Sequence, residues 1–129
     1  MRIGEVAQVA GTTTKTLRFY EDVGLLRPAE RTPGGYRDYD AGVLGRLDFI
    51  RRGRAAGLTL AQIGAVLQIR DGGQAPCTHV TDLLASRLED IDRQIVELQQ
   101  LRTTVAGLRD DAAGADPATC SPGDVCRYL

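Results

Sequence analysis

Apolar residues recur at spacings of three and four along most of this chain, which is the period of an amphipathic α-helix. The first such segment covers residues 3–10, and a second follows a threonine cap at Thr12 or Thr13. Two short helices joined at a glycine predict a helix-turn-helix. Two further amphipathic segments begin after Asp40 and Thr59, each of which can cap a helix.

The helical pattern breaks between the second and third segments, around Gly34 and Gly35. Adjacent glycines supply the backbone angles that a tight hairpin requires. We therefore predict a small two-stranded wing that carries Arg31, Tyr36 and Arg37.

A much longer helix is predicted from Val80 onward. Its apolar residues recur over about eight turns, giving a helix of roughly 45 Å. Such a helix alone would expose an apolar stripe to water, so it needs a partner. The stripe could pack on the chain's own front domain, but the helix would overhang a front of about 70 residues; we favour self-association. The stripe consists of Val80, Leu83, Leu84, Leu88, Ile91, Ile95, Leu98, Leu101, Val105 and Leu108.

These patterns predict a mainly α-helical chain in four parts. Residues 1–70 form a winged helix-turn-helix domain and 71–79 a breaker-rich linker. Residues 80–111 form a long antiparallel coiled-coil dimerisation helix, and 112–129 a loop and tail.

The length of 129 residues excludes a large catalytic domain. One histidine and no recognisable nucleophile set or phosphate loop argue against an enzyme. There is no run of eighteen apolar residues and no basic start followed by an apolar block, so we expect a cytoplasmic protein without a membrane partner.

Charge separates the two halves of the chain. The first 70 residues hold eleven Lys and Arg against seven Asp and Glu, a net charge of +4, whereas the remainder carries −5. A basic front of this kind suits phosphate binding. Lys15 and Arg18 lie one turn apart on the second predicted helix, where they can read guanine or bind phosphate.

The three cysteines carry the other candidate chemistry. Cys77 precedes the long helix, whereas Cys120 and Cys126 follow its far end. If two such helices pair antiparallel, Cys77 of one subunit faces Cys120 and Cys126 of its partner, giving two equivalent three-thiolate metal sites. Two alternatives to a metal site are a redox switch built from Cys120 and Cys126 and buried cysteines without a chemical role. His79 is either a fourth ligand or a solvated residue of the first turn.

Specific motifs then resemble a known family. The run from Leu17 to Glu21, the wing from Gly34 to Arg37, and the segment from Gly57 to Leu60 are similar to those of the MerR transcriptional regulators, in an arrangement that extends over nearly the whole chain. The resemblance implies a homodimer on a palindromic double-stranded DNA operator. It implies activation by untwisting and bending DNA for RNA polymerase when ligand binds. It also implies DNA contacts from Lys15, Arg18, Tyr20, Tyr36 and Arg37.

The heavy-metal branch of that family places a cysteine where Cys77 stands, whereas its copper(I) and gold sensors have serine there. The resemblance therefore implies a divalent soft ion: mercury, zinc, cadmium or lead. One departure from the branch is that Ala112 and Ala113 occupy the usual place of a loop cysteine. Cys120 then matches the second loop cysteine, and Cys126 substitutes for the first.

Overall fold

The structure is a computed structural model that describes residues 1–123 and 125–129. It divides into two compact units, Met1–Arg87 and Leu88–Leu129. The elements in chain order are α1 (Ile3–Ala10), α2 (Thr14–Asp22), β1 (Glu30–Arg31), β2 (Arg37–Asp38), α3 (Gly42–Ala55), α4 (Leu60–Asp71), α5 (Cys77–Ala113) and a short 3-10 helix (Pro117–Thr119).

Local capping explains where the front helices begin. Thr13 is the cap of α2, its hydroxyl accepting from the Thr16 backbone N–H at 3.1 Å. Thr59 and Gln62 form a reciprocal capping box at the start of α4. The prediction that Thr59 caps this helix is thus confirmed. Asp40 does not occupy the cap position of α3, which is Ala41, but its Oδ1 accepts from the Gly42 N–H at 2.9 Å.

One aliphatic core holds the first unit together. Leu17, Ile63 and Val6 are completely buried, and Ile50 is 1% exposed. Gly53 lets α3 approach α4 closely, because a Cβ there would lie 2.9 Å from Cγ1 of Ile63. The full cluster is Val6, Ala7, Leu17, Leu25, Leu26, Tyr39, Val43, Leu47, Ile50, Leu58, Ile63 and Leu67.

The predicted wing is present but short. Its antiparallel strands β1 and β2 have two residues each, with Arg31 opposite Arg37. Only Gly35 of the glycine pair takes a positive φ, of 83°. An isolated bridge joins Arg2 to Asp38, which ties the wing to the start of α1.

The helix α5 is longer than the sequence pattern predicted. It contains 37 residues and starts at Cys77, directly after Pro76, rather than at Val80. Its first turn forms because the Val80 N–H donates to the Pro76 carbonyl at 2.9 Å. The apolar pattern missed this turn because Thr78 and His79 are polar. No helix among the described residues has the length and apolarity to cross a membrane.

The tail after α5 has little regular structure. Asp116 caps the 3-10 helix by accepting from the Ala118 N–H at 2.9 Å. Asp124, within the predicted loop and tail at residues 112–129, lies outside the described residues.

Candidate nucleic-acid interface and metal centre

The helix α2 presents a basic face because its opposite face is anchored in the core. Leu17 is completely buried, whereas Lys15 and Arg18 on either side of it are exposed. Tyr20, two residues after Arg18, is half-buried. The arrangement leaves the Lys15 and Arg18 side chains exposed to solvent on one helix.

The wing adds two more solvent-facing side chains. Tyr36 is 58% exposed, and the guanidinium of Arg2 lies 4.6 Å from its ring centroid. Arg31 is exposed and donates from Nη1 to the Gly35 carbonyl at 3.0 Å. A cation over an aromatic face restricts the ring at modest energetic gain.

Arg37, the third predicted wing residue, is held more firmly. Its Nε donates to Oε2 of Glu21 at 2.9 Å, and the Tyr39 hydroxyl donates to the same oxygen at 3.0 Å. The Ala29 N–H donates to the other carboxylate oxygen at 2.8 Å. Glu21 thereby connects the end of α2 to both sides of the wing.

Burial alone would raise the pKa of Glu21, but the hydrogen bonds from Ala29 and Tyr39 and the charge of Arg37 outweigh it. The pKa therefore lies below its usual value of 4.5. Burial and the hydrogen bond to Glu21 raise the pKa of Tyr39 to about 12. Both groups thus keep fixed protonation states at neutral pH, with Glu21 charged and Tyr39 protonated.

A basic notch that the sequence reading did not assign lies beside the helix-turn-helix. A cavity of about 260 Å³ is lined by Tyr20, Arg51, Arg54 and the turn at residues 10–12. Arg51 is paired with Asp48 at 2.8 Å, and Arg54 is exposed. The only signal in the sequence was the cluster of arginines on the third helix, whose position depends on how α3 packs.

The three cysteines are all free and exposed. Cys77 is the first residue of α5, where helix N–H groups stabilise nearby negative charge, and His79 is half-buried in the same turn. Cys120 directly follows the 3-10 helix. Among the described residues of this single chain, no three His, Cys, Asp or Glu side chains form a group that could hold a metal ion. Cysteine sulfur and histidine nitrogen are nevertheless ligand types that suit a soft or borderline ion.

The start of α5 is attached to the front core. The carboxylate of Asp71, at the end of α4, accepts hydrogen bonds from Nη1 and Nη2 of Arg46 at 2.7 and 3.0 Å. It also accepts one from Nη2 of Arg27 at 3.1 Å. On the other side of Cys77, Arg87 donates from Nε to the Ala56 carbonyl at 3.1 Å. Leu83 packs against the core cluster. Both flanks of Cys77 are therefore connected to the unit that carries α2 and the wing.

Comparison with known proteins gives two family matches that together cover residues 1–108. The family described as "MerR HTH family regulatory protein" matches residues 1–69, and that described as "MerR, DNA binding" matches residues 44–108.

Two similar relatives and one solved structure carry names that concern metals. A probable heavy metal-dependent transcriptional regulator of Haemophilus influenzae is 37% identical over 93% of this chain and 94% of its own. The mercuric resistance operon regulatory protein of Bacillus cereus is 37% identical over 84% of this chain and 83% of its own. The structure of PbrR691 from Ralstonia metallidurans CH34, in complex with lead(II), has a TM-score of 0.80 and 36% identity, covering 93% of this chain and 94% of that one.

Proposed function

This chain belongs to the MerR family of transcriptional regulators, and from that premise we propose that it is a metal-responsive regulator acting as a homodimer on a palindromic promoter operator. Residues 1–70 bind DNA, the long helix dimerises, and the tail at 112–129 completes the metal site. A divalent soft ion held by cysteine thiolates switches the dimer to its activating form.

The DNA side of the proposal rests on the exposed cations. Lys15 and Arg18 on α2 enter the major groove, with Tyr20 beside them, while Tyr36 and Arg37 of the wing reach the flanking backbone. Arg54, which lines the basic notch and is exposed, adds a phosphate contact. The net charge of +4 in the first 70 residues supports this placement, since phosphate neutralisation supplies most of non-specific affinity.

The dimer is supported by the exposed apolar face of α5. Leu88, Leu98 and Leu101 are 62, 65 and 57% exposed in the single chain. At about 25 cal/mol per Å² of buried apolar area, covering a row of such side chains is strongly favourable. A second copy running antiparallel covers this face with the same residues and needs no other protein.

One observation carries the functional proposal: the chain has three exposed free cysteines and is similar to a named heavy metal-dependent regulator over nearly its whole length. Cys77 of one subunit and Cys120 and Cys126 of the partner subunit supply the thiolates, with His79 available as a fourth ligand. The bound ion, which is mercury, zinc, cadmium or lead, supplies the bonds that hold these thiolates together across the dimer.

The contacts that hold the start of α5 against the DNA-binding helices let metal binding change the conformation of the operator. Asp71 with Arg46 on one flank, and Arg87 with Ala56 on the other, carry a displacement of Cys77 to α3 and α4. The two heads of the dimer then change separation, and the operator bends and untwists to suit RNA polymerase. Bending a site of this size costs about 1 to 6 kcal/mol, which a difference in metal affinity between two dimer states can supply.

A metal titration of the reduced dimer tests the site. Zinc, cadmium, lead, mercury and copper(I) are compared by thiolate-to-metal charge-transfer absorption, and we expect one ion per protomer with a divalent ion bound tightest. Cys77→Ser, Cys120→Ser and Cys126→Ser should each abolish tight binding, and His79→Ala reports whether the imidazole is a fourth ligand. Subunit mixing separates the sites: a heterodimer of Cys77→Ser with a Cys120→Ser, Cys126→Ser chain should retain one intact site.

Transcription and footprinting on the operator test the switch. We expect operator binding with and without the ion, and increased promoter output only with it. Unchanged output on adding the ion contradicts the sensor proposal. An intramolecular disulfide between Cys120 and Cys126, formed by oxidant in the presence of chelator and sufficient to switch transcription, would favour the redox alternative instead.

A further inference from the structure

The wing of this protein is too small to hold its own orientation. Two strands of two residues each make one short ladder, and isolated two-stranded hairpins are marginal even when longer. The placement of the wing therefore depends on its contacts with the helices. One side is tied to the start of α1, through the bridge between Arg2 and Asp38 and the Tyr39 N–H donating to the Met1 carbonyl at 2.7 Å.

The other side is tied to α2 by one carboxylate. The Glu21 side chain is only 11% exposed and accepts hydrogen bonds from Ala29, Arg37 and Tyr39. Ala29 directly precedes β1, Arg37 begins β2, and Tyr39 directly follows β2. Glu21 lies three residues after Arg18, on the helix that presents the basic face. On the side that faces α2, the wing is thus held by hydrogen bonds that converge on a single side chain.

We propose that Glu21 is a positioning residue for DNA recognition: it fixes the wing, and Arg37 with it, at a set angle to α2. The inference deepens the proposed function and rests on its operator binding. Glu21 itself touches no DNA in this scheme. It acts through Arg37, whose Nε donates to the Glu21 carboxylate, and in this scheme the terminal nitrogens of the guanidinium meet phosphate.

Glu21→Gln has two effects on operator affinity, and they have opposite signs. Removing a negative charge near a DNA-binding face should by itself strengthen binding to phosphate. The amide, however, has one acceptor oxygen where the carboxylate has two, so its NH2 must face either the Ala29 N–H or the Nε of Arg37. Loss of the charged hydrogen bond then releases the wing and weakens binding.

The test measures operator affinity by fluorescence anisotropy at several salt concentrations. We expect Glu21→Gln to bind about 10-fold more weakly, the equivalent of one charge-assisted hydrogen bond. Asp22→Asn is the matched control, since it removes the same charge from the next, exposed position of α2 and should bind equally well or better. Affinity of Glu21→Gln equal to or above that of the control overturns the inference.

A double-mutant cycle separates positioning from an independent role. Arg37→Ala should weaken binding and lower the salt slope by about 1 if its guanidinium meets a phosphate. In the Glu21→Gln background the same change should cost less than about two-fold, because the two residues act as one unit. Fully additive losses would show that Glu21 does not act through Arg37.

Hydrogen exchange of the DNA-free protein distinguishes failure of this inference from failure of the proposed function. In Glu21→Gln, amides in residues 29–39 should exchange about 10-fold faster, whereas those of α3 and α4 should be unchanged. Unchanged exchange in the wing overturns the positioning role whatever the DNA result. If the wing exchanges faster in Glu21→Gln but the wild-type protein does not bind the operator, Glu21 still places the wing. In that case the operator proposal alone is refuted.

Discussion

Arg46 and Arg52 allow two ion pairs on the same helix to be compared in a single experiment. Arg46 is 16% exposed, binds Asp71 with both terminal nitrogens, and donates from Nε to the Leu25 carbonyl at 2.6 Å. Arg52 is 64% exposed and pairs with Asp48 at 3.0 Å one turn away. Replacing either by alanine removes one positive charge and one ion pair from α3.

The structure predicts very different costs for the two changes. Hydrogen bonds to charged groups contribute about 1.5 to 3 kcal/mol each, and Arg46→Ala removes three while leaving the Leu25 carbonyl without that partner. Asp71 keeps its bond to Arg27 and is partly solvated, so the losses do not add fully. We expect Arg46→Ala to cost about 2 to 4 kcal/mol. Arg52→Ala should cost much less, because a solvent-exposed ion pair contributes little to stability.

Urea unfolding followed by circular dichroism, at equal protomer concentrations of both variants and wild type, measures the difference. Domains of this size are stable by about 5 to 15 kcal/mol, so the Arg46 variant should lose a large share of its stability. A gap of less than about 1 kcal/mol between the two variants would refute the argument that burial and bidentate geometry decide the strength of these pairs.

Three further predictions concern the backbone at Gly57, the exposed face of α5 and the Glu21 carboxylate. Gly57→Ala should destabilise the protein by about 1 to 3 kcal/mol in thermal unfolding, since φ is 83° and the new Cβ would lie 2.6 Å from the Arg87 guanidinium; Gly73→Ala, with φ of 85° and open space around it, should cost less. Leu101→Glu should shift sedimentation equilibrium toward monomer by placing a charge on the exposed face of α5, and an unchanged association constant would place that residue outside the dimer interface. Because the folded pKa of Glu21 lies below 4.5, its stabilising contribution is present above that pH and is lost as pH falls below it; the fall in unfolding free energy between pH 5 and 3 should be smaller in Glu21→Gln than in wild type.

Features that depend on neighbours in sequence were predictable. The apolar period indicated α1, α3, α4 and α5, whereas the threonine before it and the glycine after it indicated α2. The threonines before α2 and α4 act as caps because a cap hydroxyl needs only the backbone three residues on. The glycine pair indicated the wing. Helix ends were harder to predict. The residues after Pro76 are polar and lie outside the apolar pattern, so only the structure shows that α5 starts at Cys77.

The sequence by itself therefore determined the order of elements, the basic and acidic halves, and the residue types available for DNA and metal. The tertiary structure alone decided which of those residues share a hydrogen bond. Glu21 and Arg37 are 16 positions apart, and Arg46 and Asp71 are 25 apart; nothing local connects them. Such pairs form only when the aliphatic core sets the angles between helices, because packing across the core, rather than the period of any one helix, fixes distances between remote side chains.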